Sequence, residues 1–134
     1  MNNVVFENLI KDILVQENIT FSIKSANGIC EAKLQKDMPL KINDQWATIG
    51  NENTPWHIHI NIHETDEAKF VIEFNKSHNR NSYSVRFFDK SGNLIMRANF
   101  SKLYDNSGNL IKERVDQYEK LFKSYGSQDI IKFN

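Results

Sequence analysis

The chain opens with apolar residues at a helical period. Val5, Phe6, Leu9, Ile10, Ile13 and Leu14 form the stripe of an amphipathic helix. Asn2 or Asn3 is placed to cap it and Asn18 to end it, which predicts a helix over 4–17. The period then drops to two. Residues 19–24 alternate as a short strand, Asn27-Gly28 is a hairpin turn, and 29–34 runs back from it. Met38-Pro39 breaks that run, 46–49 reads as another short strand, and 50–55 is polar and turn-rich.

The clearest alternation lies at 56–63. Trp56, Ile58, Ile60 and Ile62 share one face, and His57, His59, Asn61 and His63 the other. A polar turn at 64–67 precedes a strand over 69–74, in which Phe70, Ile72 and Phe74 alternate. A loop at 75–81 holds His78 and Arg80. Tyr83, Val85 and Phe87 then mark a strand with Ser82, Ser84, Arg86 and Phe88 opposite. Asp89-Lys90-Ser91-Gly92-Asn93 is a tight turn into 94–100, so these strands predict an antiparallel meander. The run from Asp105 to Ile111 nearly repeats the run from Asp89 to Ile95, which reads as one turn chemistry used twice. Leu110, Ile111, Arg114, Val115, Tyr118, Leu121, Phe122 and Tyr125 form a second helical stripe over roughly 109–124, with Gly126 at its C-cap. The tail, 127–134, ends in a short apolar run that could pack or fray. The predicted class is α+β: a large antiparallel β meander sheet flanked by an N-terminal and a C-terminal amphipathic helix, in one domain over 1–134.

Composition narrows the function. A chain of 134 residues suits a single core. Seventeen basic residues balance seventeen acidic ones, whereas a dedicated nucleic-acid binder is normally strongly basic. The one cysteine, Cys30, excludes an intramolecular disulfide framework, and its place in an alternating strand predicts a buried small hydrophobe. The apolar runs are too short to cross a membrane, and the first residues lack the basic n-region and long apolar stretch of a signal peptide. A soluble, cytoplasmic protein is expected. No nucleophile elbow, P-loop or dinucleotide fingerprint is present, so enzymatic chemistry has little support in the sequence.

Three of the four histidines, His57, His59 and His63, fall within seven residues. Side chains two apart in a strand share a face at about 6.5–7 Å, close enough for two imidazoles to serve one metal. Imidazole nitrogen suits zinc, copper, nickel and iron, the iron of haem included. Three readings stay open at this point. In a cupin-like non-haem metal site, His57-x-His59 is followed by Glu64, with Gly50 upstream, but no later histidine segment supplies the last ligand. In a haem site, His57 or His59 is the axial ligand and Arg80, Arg86, Arg97 or Lys76 meets the carboxylates. Phe88, Met96 and Phe100 are then candidate walls. In a non-catalytic interaction domain, the histidines merely dress a wet sheet face that meets a protein partner.

Trp56-His57-Ile58-His59-Ile60-Asn61, then Phe70-Val71-Ile72, then the run from Ser84 to Asn93 and the closing helix together resemble the haem-utilisation carrier proteins of the HutX/ChuX type. They are also similar to one half of the double-domain haem-utilisation and haem-degrading factors. The resemblance is clearest from Trp56 to about Phe122. It implies a small cytoplasmic protein, often a homodimer, with a large antiparallel sheet and flanking helices, that holds haem and passes it on. His59 carries over best, through the Trp-x-x-His-x-Asn pattern, and His57 is its same-face neighbour. The expected site is therefore His59 and His57 at the iron, with Arg86, Arg80 and Phe88 around the cofactor.

Overall fold

In the computed structural model, residues 3–133 are described. Helix α1 (Val4–Leu14) is followed by strands β1 (Ile19–Lys24), β2 (Ile29–Lys33), β3 (Leu40–Asn43), β4 (Trp46–Ile49) and β5 (Ile58–Asn61). Then come β6 (Thr65–Asn75), β7 (Arg80–Asp89), β8 (Leu94–Phe100), α2 (Lys112–Ser124) and β9 (Ile130–Lys132). The fold is α+β, as the periodicity predicts. Six strands form one sheet in the order β2-β1-β8-β7-β6-β9, every pairing antiparallel, and three form a second sheet in the order β3-β4-β5.

Two turns carry the meander and its exit. The Asp89 carboxylate accepts from the backbone N–H of Ser91 and Asn93, and Asp105 does the same for Ser107 and Asn109. Gly92 (φ 82°) and Gly108 (φ 84°) take the left-handed position in each. The repeated motif is thus one Asx turn used twice.

Both helices pack on the same face of the large sheet. Phe6 of α1 meets Phe87 edge-on at 6.0 Å and Phe133 at 5.4 Å. Tyr118 of α2 meets Phe70, Tyr83 and Phe100 at 4.9–5.8 Å. Its hydroxyl donates to the Ser84 carbonyl at 3.0 Å, a buried bond, and burial pushes the Tyr118 phenol well above its usual range. Tyr118→Phe keeps the ring packing and removes that donor, so a loss of about 1 kcal/mol is expected in urea melts. An unchanged midpoint would mean that water replaces the bond. The three-stranded sheet covers the β1 end of the same face. There Trp56 packs edge-on against Phe21 at 5.9 Å and donates Nε1–H to the Lys33 carbonyl at 2.7 Å.

Several expectations need correction. α1 ends at Leu14, and Val15 already points to solvent. Asn3 stands at its N-cap, but its side chain makes no capping bond, and Asn2 lies outside the described residues. Residues 40–43 form β3, which the apolar pattern did not announce. The strand expected over 56–63 is only β5. Beyond it Asn61 accepts from the His63 N–H, and residues 62–64 close a 3-10 turn, so His63 does not share a strand face with His57 and His59. β6 begins at Thr65, inside the expected polar turn. Leu110 bridges to Tyr104 ahead of α2 instead of joining the helix. Met96 and Phe100 are buried in the core, facing the helices, and neither lines the groove that holds His57 and His59. Cys30 is exposed, because β2 is the outer strand and its pattern leaves only Ala32 buried. The apolar tail packs: β9 pairs with β6, and Ile131 and Phe133 are buried.

Candidate histidine groove and the basic sheet face

The three-stranded sheet is two-faced by register. Leu40, Ile49 and Ile58 stand in one row and Ile42, Ala47 and Ile60 in another, both turned to the core. The outward rows alternate with them: Lys41, Thr48 and His59, then Asn43, Trp46 and Asn61. His57, just before β5, extends the outward set. A groove of about 690 Å³ lies over this face, lined by Lys41, Trp46, Thr48, Glu52, His57 and His59 among others. Its size is in the usual range for small-molecule sites.

Within it, the His57 and His59 rings stand edge to face with centroids 5.0 Å apart. His59 Nδ1 and Thr48 Oγ1 are hydrogen-bonded at 2.7 Å. When Nδ1–H donates to Thr48, the lone pair sits on Nε2, and the ring is held in the tautomer that ligates. Trp46 is nearly half exposed and offers a flat apolar surface beside the imidazoles. Gly50 fixes how the strand enters this site. It has φ 84°, and a Cβ there would come within 2.5 Å of the Trp56 carbonyl and 2.8 Å of Thr54 Oγ1.

The remaining expected residues stand elsewhere. Arg86, Arg80 and Phe88 are on β7 in the large sheet, and none of them lines the histidine groove. Arg86 bonds Ser84 Oγ at 3.1 Å and pairs with Glu73, whose carboxyl it holds below the ordinary range. The Arg80 guanidinium lies 4.6 Å above the Tyr104 ring, and the Lys69 ammonium 4.8 Å from the Phe88 ring. Among the described residues no group of three or more His, Cys, Asp or Glu side chains could hold a metal ion, so His57, His59 and Glu64 do not assemble the cupin-like site. Thr48, Trp46 and Lys41 are the residues that sequence reasoning missed. Only the strand pairing brings them beside His59, and its first strand was not foreseen.

The architecture is that of a known class. Over 96% of this chain and 76% of the other, the fold superposes on a crystal structure of ChuX with a TM-score of 0.76 at 15% identity. A second ChuX structure, described as a haem-binding protein, gives 0.70 at 17% identity over 92% of this chain and 74% of that one. A structural-genomics protein from Agrobacterium tumefaciens gives 0.74 at 17% identity over 92% and 69%. No curated protein matches the chain. A family model spans residues 7–126, most of the chain. The chain belongs to that family, and its kin in fold are the HutX/ChuX-type proteins named above.

Proposed function

We propose that the chain binds haem on the outer face of its three-stranded sheet and serves in intracellular haem carriage. The observation that carries this reading is the His57–His59 pair, with His59 oriented by Thr48, over a groove of about 690 Å³. It stands on a fold shared with a haem-binding ChuX. The residues present fit the group. His59 Nε2 would hold the iron, Trp46 would offer a flat wall, and Lys41, in the same cross-strand row as His59, would offer a cation to a propionate. Bound there, the iron would supply only a coordination site. The protein's part is to hold the imidazole, cover one side of the macrocycle and release it. Arg86, Arg80 and Phe88, grouped with the cofactor from the sequence, stand on the large sheet and enter this reading only as a competing location.

The groove is open to solvent, so one side of the macrocycle stays uncovered. A second copy of the chain, in the homodimer that the resemblance implies, would close it. Sedimentation of the protein with and without hemin is expected to show the dimer in the loaded state, and a strictly monomeric loaded protein would remove that part of the reading.

Titration of the protein with hemin, followed at the Soret band, tests the assignment. His59→Ala is expected to lose most of the band, and His57→Ala to weaken it less. Equal binding by wild type and the double variant would overturn the ligand assignment. Thr48→Val removes the hydrogen-bond partner of Nδ1 but leaves both imidazoles. An affinity loss of about tenfold is expected, the usual cost of an outer-sphere partner. An unaltered titration would show that Thr48 does not orient the ligand.

A further inference from the structure

The face of the six-stranded sheet turned away from the helices has a chemistry of its own. Along one row across its strands, Ser22, Arg97, Arg86 and Lys69 stand in register on β1, β8, β7 and β6. Like charges directly opposite each other on a sheet oppose folding. Here three cations follow one another. Two have been given acidic partners: Lys69 lies 3.6 Å from Glu67, and Arg86 is paired with Glu73. Glu67 is shared with Lys132, at 2.6 Å.

Arg97 has no comparable partner. No hydrogen bond or ion pair of its guanidinium occurs among the described residues, although it is only partly exposed. Burial, and after it the neighbouring Arg86, pushes its pKa down, while Glu73 acts in the opposite direction. The floor around it is rich in donors. Asn99 donates to Ser22 Oγ at 3.0 Å, and Arg86 donates to Ser84 Oγ at 3.1 Å, which leaves both hydroxyl protons to point elsewhere. Ser84 is itself 1% exposed. Arg97 and Arg86 therefore stand directly opposite each other, with Ser22 beside Arg97 and Ser84 bonded to Arg86, and the neighbouring carboxylates are Glu73, paired with Arg86, and Glu31, opposite Ser22.

We infer that this face binds an oxyanion, a phosphate or carboxylate group, between Arg97 and Arg86. The anion supplies the acceptors that the protein omits, and it relieves the repulsion between the two arginines. A planar fork suits either group, since guanidinium chelates both. The site is on the far side of the core from the histidine groove and does not depend on the haem reading.

The test is a titration of the full chain followed by amide and arginine Nε–Hε NMR, with sodium phosphate and sodium acetate in separate arms. Ionic strength is held constant with chloride. Saturable shifts at Arg97 and Arg86 are expected in at least one arm, and the arm that saturates at lower concentration identifies the anion class. In Arg97→Gln the affinity is expected to fall about tenfold or more, and Arg97→Lys is expected to retain part of it. Without added anion, Arg97→Gln is expected to melt no lower than wild type, since it removes a like-charge contact. Shifts that do not saturate, or that persist unchanged in Arg97→Gln, would overturn the proposal. So would an anion-free Arg97→Gln that melts well below wild type, because Arg97 would then be serving the fold.

Discussion

Gly50→Ala is expected to lower the melting temperature by about 10 °C or more, from a loss of roughly 3 kcal/mol. Two costs combine. The backbone sits at φ 84°, where an L side chain costs on the order of 1–2 kcal/mol. The new Cβ would also stand 2.5 Å from the Trp56 carbonyl oxygen, which is backbone and can yield only if the chain entering β5 moves. The Gly50 N–H donates to the Pro39 carbonyl at 2.8 Å, so displacement would propagate to the start of β3 as well. Trp56 is followed directly by His57. The same variant is therefore expected to lose hemin affinity along with stability, whereas His59→Ala loses affinity alone. Calorimetry beside a hemin titration separates the two. A Gly50→Ala protein that melts with wild type would show that the segment from Gly50 to Trp56 does not set the geometry of the groove.

Phe87→Ala is expected to cost about 3–5 kcal/mol, a large share of the total stability of a domain this size. Phe87 is fully buried on β7, edge-on to Phe6 of α1 and stacked on Phe133 at 6.2 Å. Removing the ring leaves a cavity at the point where α1, the large sheet and the C-terminal tail meet. The tail can collapse into it only by giving up the pairing of β9 with β6. Chemical denaturation reads this directly. A loss below about 1 kcal/mol would mean that α1 and the tail pack independently of the sheet.

How much of this was legible follows from the physics of each segment. β1, β4 and β8 run over the predicted residues because each is a short alternating run between turn signals of fixed chemistry. α1 and α2 were visible for the same reason at the helical period, though their ends were not. Ile111 at the start of α2 makes no side-chain cap, so no residue type marked the boundary. β3 was hidden. Leu40 and Ile42 are only two apolar positions, and Lys41 and Asn43 between them read as loop until β4 supplies a partner. β6 was underestimated because Thr65, Asp66 and Glu67 are polar. They lie in a bulged stretch whose register shifts between Thr65 and Glu67, where Lys132 engages Asp66 and Glu67 and the Thr65 hydroxyl donates to the Asn61 carbonyl.

The candidate site was legible only in part. The His57–His59 pair follows from period two alone, and the structure places the two rings side by side. The surrounding residues do not follow from any period, because they come from cross-strand neighbours. Thr48 faces His59 by pairing, eleven positions earlier in the chain. The arginines were grouped with the histidines by chemical type, and sequence distance could not say that β7 lies in a different sheet from β5.

The central claim is a location: haem on the outer face of the three-stranded sheet, ligated through His59. NMR of the protein loaded with ferric hemin tests it most directly, since the paramagnetic iron shifts or broadens every resonance near it. The account predicts that His59, His57, Thr48 and Trp46 are strongly affected while Arg86, Phe88 and Arg80 keep their hemin-free positions. Paramagnetic effects centred on β7, with His59 and Thr48 undisturbed, would contradict it.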